Sequence, residues 1–324
     1  MIGAGHLWNG GLALRISVTD RCQLRCRYCL PPEGAALSKR EDLLSYEEIA
    51  QLARALRDSF GLAKIRVTGG EPLVRPGLPR LVALLAALDV PDLALTTNGL
   101  LLAGRAETLR AAGLHRVNVS LDALDADIFR RVTRGGRVED VLAGIRAARA
   151  AGLTPIKLNT VLVRGLNDGE IEPLAAFALE NDCELRFIEL MPIGPGAELY
   201  AAGHVPAAEA RARLARRYDL EPLGRAPGAS AERFRVRDAD GRAGVVGFIA
   251  PCSAPFCADC RRLRVTADGR LLGCLAREGG IPVREALRDG DLRAILSAVP
   301  EAFSMKREDA AFAVPFACMA GIGG

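Results

Sequence analysis

The chain has 324 residues, 50% hydrophobic and 25% charged, enough to bury a sizeable core as one large domain or a large plus a small one, which excludes disorder over most of its length. A net charge of +4, spread along the chain, argues against a dedicated nucleic-acid or bilayer surface. The cations are overwhelmingly arginine, with lysine only at Lys39, Lys64, Lys157 and Lys306, so a single arginine carries meaning only through its position.

The N-terminal residues Met1 to Gly11 have neither the basic flank nor the apolar stretch of a signal peptide, and no later segment approaches a membrane span, so a cytoplasmic protein is expected. From there, β-type runs at 12–18, 63–68, 93–97, 115–121, 154–162 and 185–190 alternate with helical patterns such as 45–59 and 138–150. Ser45 with Glu48 forms a capping box for the first helix, whose apolar positions Ile49, Leu52, Ala53 and Leu56 recur at helical spacing. Within the strands, Arg15 and Ser17 share a face, as do Arg66 and Thr68, Asn118, Ser120 and Asp122, and Lys157 and Asn159, with aliphatics between them. A closed eight-stranded barrel fills its lumen with packed side chains, so a polar inner face predicts an α/β fold with an open, partial (βα)6 TIM-like barrel lining a cavity. The unusual residues follow strand ends, where such barrels place chemistry: the cysteine loop, Gly69-Gly70-Glu71-Pro72, Thr96-Thr97-Asn98-Gly99, Ser120 and Glu189-Leu190-Met191. Beyond Pro192 the composition shifts to Gly, Pro, Ala and Arg, with short strands near 232–236 and 245–249. The expected division is a barrel over 1–200 and a smaller α+β cap over 201–324.

Of nine cysteines, seven fall in two clusters, which in a cytosolic protein points to metal ligands rather than disulfides. Cys22, Cys26 and Cys29 form a Cys-x3-Cys-x2-Cys loop after the first strand. Three thiolates hold a 4Fe–4S cluster with one iron open to a ligand, the arrangement by which radical S-adenosylmethionine (SAM) enzymes bind SAM; an incomplete zinc site or a redox pair is the bland alternative. Gly69 and Gly70 admit close backbone approach after the second strand, and Glu71 is placed to accept from the SAM ammonium. Cys257-x2-Cys260-x13-Cys274 offers a second open-iron site, or a zinc ribbon with Cys252 as fourth ligand. Cys183 reads as a buried apolar residue.

Over essentially its whole length the chain resembles the GTP 3′,8-cyclase family, the molybdenum cofactor biosynthesis protein A family. The resemblance rests on Leu14-Arg15-Ile16-Ser17-Val18-Thr19-Asp20-Arg21-Cys22, Arg66-Val67-Thr68-Gly69-Gly70-Glu71-Pro72, Asn118-Val119-Ser120-Leu121-Asp122 and Arg186-Phe187-Ile188-Glu189-Leu190-Met191. It continues through Pro255-Phe256-Cys257 with Cys260, Thr266-Ala267-Asp268-Gly269 leading to Cys274-Leu275, and the terminal Gly323-Gly324.

The resemblance implies two 4Fe–4S clusters, SAM as cofactor and GTP as substrate, with Tyr28, Gly70, Ser120 and Met191 lining the SAM site. It implies GTP contacts from Arg15, Arg66, Thr96 and Lys157, joined by Arg262, Leu263 and Arg264, a second cluster whose open iron meets the guanine base, and catalytic roles for Arg15, Arg262, Arg264, Gly323 and Gly324. Its partners would be an electron donor, a second copy in a homodimer and a downstream enzyme accepting the cyclic product, with no membrane and no nucleic acid. Cys252, Arg261 and Cys318 depart from the family pattern, and Cys252 would compete as a fourth ligand. Two other readings are a radical SAM enzyme modifying a peptide or tRNA, whose relatives generally carry more cysteines in the C-terminal extension, and a zinc-ribbon RNA-binding module. The latter needs stacking aromatics, which make up only 5% of this chain.

Overall fold

A computed structural model of the protein describes residues 11–277, 279–306 and 319–322. Gly323, Gly324 and Cys318 lie outside the described residues, so the roles expected of them are not addressed by the structure.

The aliphatic runs become β1 (Leu12–Ser17), β2 (Leu62–Thr68), β3 (Asp92–Thr97), β4 (Arg116–Ser120), β5 (Lys157–Leu162) and β6 (Glu184–Glu189). Each pairs in parallel with the next. All six start within three residues of the expected positions; β5 begins latest because Pro155 has no N–H to give to a ladder. The helix Tyr46–Phe60 follows its capping box: Glu48 N–H donates to Ser45 Oγ at 3.1 Å, and Ser45 N–H donates to a Glu48 carboxylate oxygen at 2.6 Å. Its Ile49, Leu52, Ala53 and Leu56 are buried, together with Leu14, Ile16, Val67 and Leu95 from the strands, so one face of the sheet is sealed under helices. The helix Val138–Ala150 coincides with the second expected segment.

The C-terminal third builds β7 (Asp219–Gly224), β8 (Glu232–Arg237), β9 (Ala243–Ile249), β10 (Arg262–Val265), β11 (Arg270–Leu272) and β12 (Ile281–Pro282). These do not form a sheet of their own. The strand order is β12-β11-β10-β1-β2-β3-β4-β5-β6-β9-β8-β7, with β10 parallel to β1 and β9 parallel to β6. The C-terminal segment therefore extends the parallel sheet from both edges, and the order stays linear and open. Position 200 falls inside the helix Pro195–Gly203, and strands from both sides of it share the one sheet.

Candidate functional site

Alternation along β1, β2, β4 and β5 turns Arg15, Arg66, Thr68, Ser120 and Asn159 to the face opposite the helices, where they line an open cavity. The six cysteines of the two triads line that same cavity, as do Tyr28, Gly70, Glu71, Thr96, Met191, Arg262 and Arg264. Two expected substrate residues do not. Leu263 is fully buried in the core on the other side of β10, so only its main chain is left to contribute. Lys157 is held at 3.0 Å by Glu184, which also binds Arg186 at 2.7 Å.

The first triad is fixed by backbone stitching. Gly70 N–H donates to Thr19 C=O at 2.6 Å and Glu71 N–H to Arg21 C=O at 2.7 Å, tying the turn after β2 to the chain entering the cysteine loop. A Cβ on Gly70 would fall against the Arg21 carbonyl, the physical reason glycine stands there. The Glu71 carboxylate is buried and accepts from Leu73 N–H at 3.0 Å, Thr97 Oγ1 at 2.7 Å and Asn98 N–H at 2.7 Å. Burial pushes its carboxyl up to about 7 against the pull of those donors. Three protein donors leave room for one more, so Glu71 organises the loops after β2 and β3 as much as it faces a ligand. Tyr28 donates its hydroxyl to Asp122 at 2.6 Å, and Val161 N–H donates to the other Asp122 oxygen at 2.9 Å. Burial raises Asp122 to about 6. Asp122 thus sets the orientation of Tyr28, a role sequence reasoning missed although the alternation of β4 continued into it. Arg186, also missed, lines the cavity; alternation along β6 would have found it.

Register brings the cations together. Arg15 lies opposite Arg264 on one side and Arg66 on the other, so three guanidinium groups stand on adjacent strands, which run about 4.8 Å apart. Among the described residues no carboxylate lies within 4.0 Å of Arg15, and Arg66 Nε is buried without a hydrogen-bond partner. Burial and then mutual repulsion, from Arg264 and Arg262 on Arg15 and from Arg15 and Arg116 on Arg66, push both well below the usual arginine range, and burial brings Arg264 down to about 10. Three cations converging on one cavity form a site suited to a polyanion.

Burial and the neighbouring Arg186 bring Lys157 down to about 8, despite Glu184. Lys157 is thus charged below pH 8 and neutral above it. If its charge supports a bound triphosphate, GTP affinity is flat below pH 8 and weakens by up to about tenfold per pH unit above it, until the pKa of the complex is passed. Lys157→Arg, which keeps its charge, is expected to flatten that profile; a profile unchanged by the substitution, in calorimetric titrations from pH 7 to 9.5, contradicts the role.

The second triad meets a different environment. Cys260 is partly buried, which alone would raise its thiol, yet Arg262 and Lys306 pull it down to about 6. The geometry also tests what the triads fit. A single tetrahedral zinc ion draws its sulfurs to about 3.8 Å of one another, given Zn–S bonds of about 2.3 Å. Among the described residues the only ligand group gathered within 4.8 Å is Glu189, His204 and Cys252; neither cysteine triad closes that far. Triads spaced more widely, each opening into a cavity, fit cubanes whose irons each take one thiolate. The Cys252 thiol donates to Leu190 C=O at 3.5 Å and lies within 4.8 Å of ligand atoms of Glu189 and His204. Glu189 is likewise occupied, accepting from Ala207 N–H at 2.8 Å, Cys252 N–H at 3.0 Å, Ser253 N–H at 2.9 Å and the Ser253 hydroxyl. That carboxylate is a clasp joining the end of β6 to the loop after β9. Cys183 is buried, as expected.

An open, largely parallel βα sheet carrying a Cys-x3-Cys-x2-Cys loop after its first strand defines the radical SAM class. Residues 16–178 match the Radical SAM superfamily model and residues 183–312 match that of Molybdenum Cofactor Synthesis C. The chain belongs to the GTP 3′,8-cyclase family. It is 50% identical over 288 residues to the GTP 3′,8-cyclase of Moorella thermoacetica, covering 88% of each chain. It is 50% identical over 299 residues to that of Acidothermus cellulolyticus, covering 90% of this chain and 82% of the relative. The fold is similar to that of Streptococcus suis SuiB, solved with S-adenosylmethionine, at a TM-score of 0.58 and 16% identity, over 85% of this chain and 62% of that one. Among the described residues no helix is long and apolar enough to cross a membrane.

Proposed function

We propose that this chain converts GTP to its 3′,8-cyclo-7,8-dihydro isomer, the step that opens molybdenum cofactor biosynthesis. The observation that carries the reading is that both cysteine triads and the in-register row Arg264–Arg15–Arg66 open into one cavity. The family relatives bear the name of this activity.

Cys22, Cys26 and Cys29 would hold a cubane that would supply the electron for SAM cleavage, and with it the 5′-deoxyadenosyl group that would remove the hydrogen atom at C3′ of the ribose. The C3′ carbon then bonds to C8 of guanine, and one electron and one proton complete an isomer of GTP; the electrons come from an external donor. The chain's own part is placement. Tyr28, oriented by Asp122, and Gly70, Glu71, Ser120 and Met191 form the SAM side. Arg15, Arg66, Thr96 and Arg186 line the cavity and hold the triphosphate, with Lys157 of β5 behind them, and Arg262 and Arg264 hold the nucleotide toward the second triad, whose open iron would meet the guanine. Two anchors leave the ribose between them, which is how positioning selects one carbon. Ile188, Leu190, Ile193 and Ile249 give the cavity apolar walls that exclude water from a reactive carbon radical.

The test is anaerobic incubation of reconstituted protein with SAM, dithionite and each nucleotide separately. The expected outcome is consumption of GTP alone, with a product of unchanged mass and a C3′–C8 bond by NMR. Formation of 5′-deoxyadenosine with no change in GTP, or turnover of a peptide instead, contradicts the proposal.

A further inference from the structure

Lys306 is one of four lysines in a chain that elsewhere uses arginine, and neither the strand pattern nor the family motifs mark it. It follows the helix Leu292–Ser304 and lines the cavity beside the second triad. Its ammonium donates to Cys260 Sγ at 3.4 Å and to Arg262 C=O at 2.8 Å, and lies 4.6 Å from the centre of the Phe303 ring. No carboxylate among the described residues lies within 4.0 Å of it. The thiolates of the second triad are therefore its anionic partners there, with Cys260 the one it hydrogen-bonds, and a partly buried cation is retained only where something compensates it. A compact ammonium with three donors suits this position: one reaches a single sulfur, one reaches a carbonyl, and one remains for the cavity.

We propose that Lys306 sets the reduction potential of the second cluster, by donating a charge-assisted hydrogen bond to its Cys260 ligand. The inference rests on the reading that Cys257, Cys260 and Cys274 hold a cubane. Reduction adds a negative charge to the cluster and its thiolates, and both a positive charge and an N–H donor at a ligating sulfur favour the reduced form. Lys306 is a positioning residue here: it acts through Cys260 and takes no part in bond making. Arg262 also bears on Cys260, but its guanidinium is spread over the Phe256 ring at 4.8 Å and it belongs to the proposed nucleotide contacts. Lys306 separates cluster tuning from substrate binding.

The experiment uses the full chain, anaerobically reconstituted and carrying Cys26→Ala so that only the second cluster is present, with iron content measured first. Its midpoint potential is followed by EPR-monitored redox titration without nucleotide. Lys306→Met, which removes donor and charge, is expected to shift the potential to more negative values. Lys306→Gln, which keeps a donor without charge, should shift it less, and Lys306→Arg should return it toward the parent value. A parent-like potential in Lys306→Met at full iron content overturns the proposal. If Lys306→Met does not assemble the cluster, Lys306→Gln decides, and an unchanged potential there overturns it equally. The potential is read without GTP, so the two readings fail separately: a protein that cyclises GTP with a potential indifferent to Lys306 removes this proposal alone, and one that shows the shifts without cyclising GTP removes only the cyclase reading.

Discussion

Cys26→Ala is expected to abolish both SAM cleavage and GTP cyclisation, whereas Cys274→Ala should keep SAM cleavage and lose cyclisation. The asymmetry follows from the two triads standing on different parts of one sheet. Cys26 lies in the loop after β1, next to Tyr28 and stitched to the turn at Gly70, while Cys274 follows β11 and faces the cavity with Arg262 and Arg264. Burial and the nearby Asp122 push the Cys26 thiol well above its ordinary value, so it becomes a thiolate only by binding metal, and alanine leaves two ligands where three are needed. Iron content is expected to fall by about half in each variant, since each loses one of two cubanes. The measurement is iron analysis with parallel assay of 5′-deoxyadenosine and cyclised nucleotide. Equal loss of SAM cleavage in Cys274→Ala would mean that the sites are not separable as described.

Arg15→Met is expected to weaken GTP binding on the order of 100-fold while raising the stability of the nucleotide-free protein. The affinity figure corresponds to one or two charge-assisted hydrogen bonds at about 1.5–3 kcal/mol each. The stability gain follows from the register: methionine between Arg264 and Arg66 removes a cation that is desolvated, repelled on both sides and without a carboxylate within 4.0 Å among the described residues. The sign can be checked through pH. An arginine side chain stays protonated throughout the neutral range, so the gain should be unchanged between pH 6 and 8. Calorimetric binding and thermal melting of the same samples measure both effects. A variant that binds GTP normally, or that melts lower with no affinity change, would show Arg15 to be a structural residue.

The parts legible from sequence were those set by local spacing. The first cysteine triad, the βα alternation, the capping box at Ser45 and the helix 138–150 each depend on residues within one turn or one strand of each other. What escaped was non-local. Nothing in Arg262–Val265 tells that this short strand pairs with β1, or in Ala243–Ile249 that it pairs with β6, because parallel partners lie far apart in the chain. That pairing makes Arg264 a neighbour of Arg15, and places Leu263, one residue away, in the core by simple alternation. Family resemblance marked Lys157, and cysteine spacing marked Cys252, without their partners. Glu184 pairs with the first at 3.0 Å, and the Glu189 carboxylate and Leu190 C=O accept from the main-chain N–H and the thiol of the second. Asp122 illustrates the opposite case: the pattern placed it on the polar face, but only the structure pairs it with Tyr28, from a loop 94 positions earlier.

The central claim is that the cavity holds the ribose so that C3′ alone meets the radical carbon, with C8 of guanine as acceptor. GTP carrying deuterium at C3′ tests it most directly, in anaerobic turnover with the reconstituted wild-type chain, SAM and dithionite. The account predicts deuterium in 5′-deoxyadenosine, and a cyclised product that has lost the label and kept the other atoms of GTP. Deuterium retained in the nucleotide while 5′-deoxyadenosine acquires hydrogen from another ribose carbon, or from solvent, would contradict it.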